Sequence, residues 1–89
     1  MEMKVTQSTQ FKKDAKRQQK RGKDLDKLFD VIDLLISAKD LPASLRDHTL
    51  TGNWKGWRDC HIEPDWLLIY KMSPEELVLG RTGTHSDLF

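Results

Sequence analysis

The sequence predicts an α+β domain in which an N-terminal helical hairpin packs on a small antiparallel sheet. Three observations predict it. Leu25, Leu28, Phe29, Ile32, Leu35 and Ile36 recur at the i, i+3, i+4, i+7 spacing that commits one helix face to a core. Trp66-Leu67-Leu68-Ile69-Tyr70-Lys71-Met72 is aromatic and β-branched with an apolar centre, the pattern of a strand buried on both faces. Glu63-Pro64-Asp65 and Ser73-Pro74-Glu75-Glu76 bracket that strand with turn chemistry, so the C-terminal half reads as a meander.

Each element has its own signal. Lys4-Val5-Thr6 reads as a short first strand. Ser8 or Thr9 caps a first helix from about Gln10 to Arg21, whose apolar face holds little beyond Phe11 and Ala15. Gly22 stops it by supplying the left-handed residue. Asp24 caps the second helix, with Asp26, Lys27, Asp30 and Asp33 on its polar side; it should end near Ser37 or Ala38, before the Leu41-Pro42 break. The short linker makes the two helices antiparallel neighbours. Residues 42–53 are loop-like, with Thr51-Gly52-Asn53 as a turn. Trp54 to Ile62 reads as extended. Leu77 to Thr84 reads as the last strand, with Gly80 and Gly83 as bulge or close-approach positions.

With 89 residues the chain makes a single domain, residues 1–89. Hydrophobic content of 37% against 33% charged suits a folded globule rather than a disordered chain. No apolar run approaches the roughly 18 residues of a membrane span, and the N-terminus lacks a secretory core. Cys60 is the only cysteine, so no internal disulfide forms and a reducing cytoplasm is the expected compartment. It reads as a buried strand residue rather than a nucleophile. The net charge of +1 conceals an asymmetry. Lys12, Lys13, Lys16, Arg17, Lys20, Arg21 and Lys23 face only Asp14 within their segment, while the rest of the chain is net acidic. So dense a cationic helix points to contact with a polyanion, where lysines gain from counterion release.

All three histidines, His48, His61 and His85, lie outside the helical half. Alternation puts Trp57, Asp59 and His61 on one strand face and Arg58, Cys60 and Ile62 on the other. Asp65 sits in the turn after His61. Arg81 and His85 are four apart and share a face if no bulge intervenes. Metal-free RNA cleavage needs a base for the ribose 2′-hydroxyl, a cation for the crowded phosphorane and an acid for the leaving 5′-oxygen. Imidazole can do either proton task near neutral pH, and guanidinium suits the phosphate. On the residues alone, the histidines also fit edge-strand positions, and Trp54, Trp57 and Trp66 fit a core as well as a base-stacking platform. Compact zinc spacing is absent, so no metal or other cofactor is expected.

The run from Asp47 through Tyr70, with the opening Phe11-Lys12-Lys13-Asp14 and the ending Arg81-Thr82-Gly83-Thr84-His85-Ser86-Asp87-Leu88-Phe89, resembles the YafQ-type toxins of the RelE/ParE superfamily. The resemblance implies a RelE-like, microbial-RNase-like fold. It implies a bacterial type II toxin that cleaves mRNA in the ribosomal decoding site and is neutralised by a cognate antitoxin. Partners would then be the antitoxin, the 70S ribosome and mRNA; operator DNA would be met only through the antitoxin complex, and no membrane is involved. By resemblance His48, His61, Asp65 and His85 are catalytic, Arg81 contacts phosphate, and the terminal Phe89 helps hold substrate. His85 is the expected acid and His48 the expected base, with Asp65 as the alternative base; His61 and Arg81 stabilise the phosphorane. Lys12, Lys13, Lys16, Arg17, Lys20 and Arg21 are expected on ribosomal RNA. The rival readings are a non-enzymatic ParE-like toxin that binds gyrase, and a basic RNA-binding adaptor; neither needs clustered imidazoles.

Overall fold

Helical periodicity seats the first layer. The structure, a computed structural model, describes residues 3–37 and 41–89. Helix α1 (Thr9–Lys20) buries Phe11, Asp14 and Gln18, and α2 (Leu25–Ile36) buries Leu28, Val31, Ile32 and Leu35. Each such apolar side chain contributes roughly 1.5–3 kcal/mol on leaving water. The Ser8 hydroxyl accepts the Phe11 N–H at 2.9 Å, which fixes where α1 begins. Its end is set by Gly22 at φ 89°: the Gly22 N–H bonds the Gln19 carbonyl and the Lys23 N–H bonds the Gln18 carbonyl. That double closure needs a left-handed residue, which glycine adopts without a Cβ penalty. Asp24 caps α2 through the Asp26 N–H at 2.9 Å. The helix stops at Ile36, with Ser37 as its cap; the alternative end at Ala38 lies outside the described residues.

The second layer is a five-stranded sheet in the order β1-β5-β4-β3-β2. The strands are β1 (Lys4–Gln7), β2 (His48–Thr49), β3 (Arg58–Glu63), β4 (Trp66–Met72) and β5 (Glu76–Gly83). β2 to β5 pair antiparallel, as expected of tight turns, whereas β1 runs parallel to β5. The sheet is therefore mostly rather than wholly antiparallel. The chain between β1 and β5 includes both helices, and no hairpin turn forces those two strands into opposite directions. Along β4, Trp66, Leu68 and Tyr70 join Cys60, Leu77 and Leu79 under the helices. Leu67 and Ile69 point the other way and are covered by Leu88 and by the half-buried Leu50, Trp54 and Trp57. β4 is thus buried on both faces, as its composition requires.

Three local expectations are corrected. The extended run expected from Trp54 begins only at Arg58, because Gly52–Trp54 forms a 3₁₀ turn. That turn stacks Trp54 and Trp57 edge to face at 5.7 Å over the sheet instead of along it. Within the loop-like stretch, His48 and Thr49 form β2. The last strand ends at Gly83, since Thr84 and Asp87 form a reciprocal capping box that opens helix α3 (His85–Leu88). His85 therefore starts a helix, and its spacing from Arg81 is not a strand spacing. Gly80 meets both of its expected roles: β5 slips register opposite Ile69 and Tyr70, and a Cβ at Gly80 would come within 2.5 Å of the Trp57 indole.

β1 ends its pairing with β5 at Leu79, and α1 takes over that edge. The Ser8 N–H bonds the Leu79 carbonyl and its hydroxyl donates to the Gly80 carbonyl. Asp14, only 1% exposed, accepts the Thr82 N–H at 3.3 Å and the Arg81 Nε at 2.7 Å. The edge groups left free by the short first strand are satisfied by a helix side chain.

Candidate active site

The face opposite the helices carries the histidines. β2 pairs with β3 for two residues, and His48 stands directly opposite Asp59. His48 Nε2 lies 3.0 Å from Asp59 Oδ1. Its Nδ1 lies 2.7 Å from the Arg46 carbonyl, an acceptor, so Nδ1 must carry a proton. The neutral imidazole would then aim a lone pair at Asp59. Asp59 is 3% exposed, and burial pushes its carboxyl above the ordinary range despite the three histidines nearby.

His61 lies two residues further along β3 on the same face. Its ring centroid is 6.4 Å from that of His48 and 5.6 Å from that of His85. His61 Nδ1 is buried and has no hydrogen-bond partner among the described residues. His85, the first residue of α3, is exposed and tethered from below. Asp65 Oδ1 accepts its backbone N–H at 2.9 Å and its Nδ1–H at 2.6 Å. Those two donors, the backbone N–H foremost, hold the Asp65 carboxyl below its usual range. The pairing fixes the ring orientation and leaves Nε2 pointing away, to give or take a proton. Phe89 follows one turn later, 62% exposed, with its N–H on the His85 carbonyl.

The expected residues are thus brought together in one case and kept apart in another. His48, His61, His85 and Asp65 form a continuous row at one end of the sheet. Arg81 shares their sheet face, since Asp59 pairs with Ile69 and Ile69 with Arg81. Two strand spacings, about 10 Å, separate it from Asp59. Its Nε and Nη2 are held by Asp14, which raises the guanidinium pKa, while Nη1 takes no part in that pairing. Lys12, Lys13, Lys16 and Lys20 are exposed on α1. Arg17 and Arg21 lean instead on Asp87, at 4.0 and 2.6 Å. Trp66 is core, its Nε1–H donated to the Thr82 hydroxyl at 2.9 Å. Burial pushes the Cys60 thiol up to about 12, so it is no nucleophile at neutral pH.

Two carboxylates were not singled out from the sequence as site residues. Asp59 lies under the histidines, and its alternation with His61 was the signal for it. Asp47 accepts the Arg58 Nε and Nη2 at 3.2 and 2.8 Å and the Tyr70 hydroxyl, clamping the backbone that presents His48. Nothing in the linear pattern links 47, 58 and 70. Among the described residues, no group of three or more His, Cys, Asp or Glu is arranged to hold a metal ion, and no helix is long and apolar enough to cross a membrane.

Comparison with known proteins agrees in fold and in sequence. Residues 3–89 match the family model described as bacterial toxin of type II toxin–antitoxin system, YafQ. The mRNA interferase toxin YafQ of Escherichia coli K12 is 51% identical over 86 residues, covering 96% of this chain and 94% of the relative. The crystal structure of YafQ from E. coli BL21(DE3) superposes with a TM-score of 0.94 at 48% identity, covering 99% of both chains. YafQ in the E. coli DinJ–YafQ toxin–antitoxin complex gives a TM-score of 0.92 at 49% identity, over 100% of this chain and 99% of that one. This chain belongs to the YafQ family of bacterial type II toxins.

Proposed function

We propose that this toxin is a ribosome-dependent endoribonuclease that cleaves mRNA in the decoding site by acid–base catalysis. The observation that carries the reading is the row of three imidazoles, 6.4 and 5.6 Å apart, with a carboxylate against each outer ring. A 2′-hydroxyl docked at His48 gives its proton to Nε2, and Asp59 holds the imidazolium so formed. The freed 2′-oxygen attacks phosphorus. The 5′-oxygen leaves with a proton from His85 Nε2, the ring being held in orientation by Asp65. The products are a 2′,3′-cyclic phosphate and a 5′-hydroxyl. Asp65 is the alternative base, being exposed and adjacent. His61, between the two outer rings, faces the phosphorane, with Arg81 as the more distant cation and Phe89 as the aromatic beside the substrate. The cellular setting is the cytoplasm, where ribosomes work. Neutralisation falls to an antitoxin, as the complex of the E. coli relative with DinJ suggests.

The test is single-turnover cleavage on purified ribosomes programmed with a defined mRNA. His85→Ala is expected to slow cleavage by about 10²–10⁴-fold, the usual worth of a positioned acid, with an unaltered melting curve. Cleavage at the wild-type rate removes His85 from the chemistry.

A further inference from the structure

A groove of about 390 Å³ opens beside His61, between the Ala43–Leu45 3₁₀ turn and the end of β3. It falls within the range of pockets that hold small organic groups, about 300–1,000 Å³. Its walls are apolar at Leu45, Ile62 and Pro64, and its polar groups are Ser44, Arg46 and Glu63. β2 ends its pairing at Asp59, so the β3 edge from Cys60 to Glu63 has no strand partner on that side among the described residues. Glu63 is held in place by Lys23 at 2.6 Å and Lys27 at 3.0 Å. Arg46 sits at φ 49°, a left-handed conformation that a bulky residue adopts at a cost.

Resting on the nuclease reading above, we propose that this groove receives the nucleobase of a nucleotide flanking the cleaved bond and sets codon preference. His61 joins the two, since it belongs both to the imidazole row and to the groove lining. A phosphate held between the rings brings a neighbouring base to the groove mouth. RNA bases are read in single strands by stacking on aromatic rings or guanidinium planes and by hydrogen bonds to their edges. Flat apolar walls, a guanidinium, a carboxylate and a hydroxyl supply both kinds of contact. A base seated in the groove covers the exposed Ser44 and Arg46, so a wrong base edge leaves them covered and unpaired, which is how such pockets discriminate.

The experiment compares single-turnover cleavage of ribosome-bound mRNAs that differ only in the nucleotides beside the cut. Ser44→Trp fills the groove. Arg46→Gly removes the guanidinium while suiting the backbone conformation, so it guards against a folding defect in the first variant. The expected result for each is at least a tenfold contraction of the rate ratio between best and worst codons. Wild-type ratios in both variants, or an equal loss on every codon, overturn the proposal. A wild-type chain that cleaves no ribosome-bound mRNA overturns the nuclease reading itself, and that outcome is distinct from the other two.

Discussion

Asp59 shows at the residue scale how the proposed chemistry opposes stability. A carboxylate 3% exposed loses its hydration, and burial outweighs the attraction of three imidazoles, so its pKa rises. A raised carboxyl pKa means that the protonated form suits the fold better. Its contribution is fully present below the unfolded pKa, about 3.9, and is lost as pH rises through the folded value. At neutral pH the ionised group is therefore a burden. Asp59→Asn is expected to raise the melting temperature at pH 7, with the gain vanishing below about pH 4. The same change should slow cleavage by about a hundredfold, the scale of a misplaced reacting group, because His48 loses its counter-charge. An equal or lower melting temperature at pH 7 refutes the stability half. At this scale the sequence was half legible. Alternation puts Asp59 on the histidine face, but its depth comes from being an inner residue between His48 of β2 and Ile69 of β4, a pairing that no local spacing encodes.

Among the elements, α3 is the least self-sufficient, because four residues cannot nucleate a stable helix in water. Asp87 secures it. The carboxylate accepts the Thr84 N–H at 3.0 Å as part of the capping box, Gln18 at 3.3 Å, and Arg21 at 2.6 and 3.2 Å. Arg21 above all holds the Asp87 pKa well below the usual carboxylate range. A depressed carboxyl pKa contributes stability above the unfolded value, about 3.9, and loses it as pH falls toward the folded value. Asp87→Ala is expected to cost about 2 kcal/mol in urea unfolding at pH 7 and much less near pH 2. A pH-independent cost shows that the charge was irrelevant. Cleavage should fall as well, since α3 presents both His85 and Phe89. The long elements were readable because capping and apolar spacing are local: Ser8, Gly22 and Asp24 act where expected. β1's parallel pairing was not, because it depends on a partner about 70 residues away, Thr6 with Glu76; the Thr84–Asp87 capping box is local, but so short a helix is held by the distant Arg21.

For the molecule as a whole, charge is segregated by element, and the net +1 is a poor guide to what a polyanion meets. Lys12, Lys13, Lys16 and Lys20 stand exposed on α1, whose buried side seals the β5 edge through Asp14. The same helix is joined through Arg21 and Asp87 to the short helix bearing His85. The exposed lysines of α1 and the imidazole row are therefore tied together through Arg21 and Asp87, so RNA bound on α1 would meet the imidazoles at a set distance. Sequence alone groups Arg17 and Arg21 with the lysines, but their shared carboxylate offsets part of their charge. Changing the four lysines to Gln is expected to weaken ribosome binding and to lower the slope of log affinity against log salt by about 3, given roughly 0.7–0.9 counterions released per phosphate contact. Arg17→Gln with Arg21→Gln should change the slope by less than half of that amount. The measurement is ribosome affinity at several salt concentrations below and above the physiological value. If the quadruple lysine variant keeps the wild-type slope, α1 does not lie against RNA, and its cationic surface is only a solvated helix face.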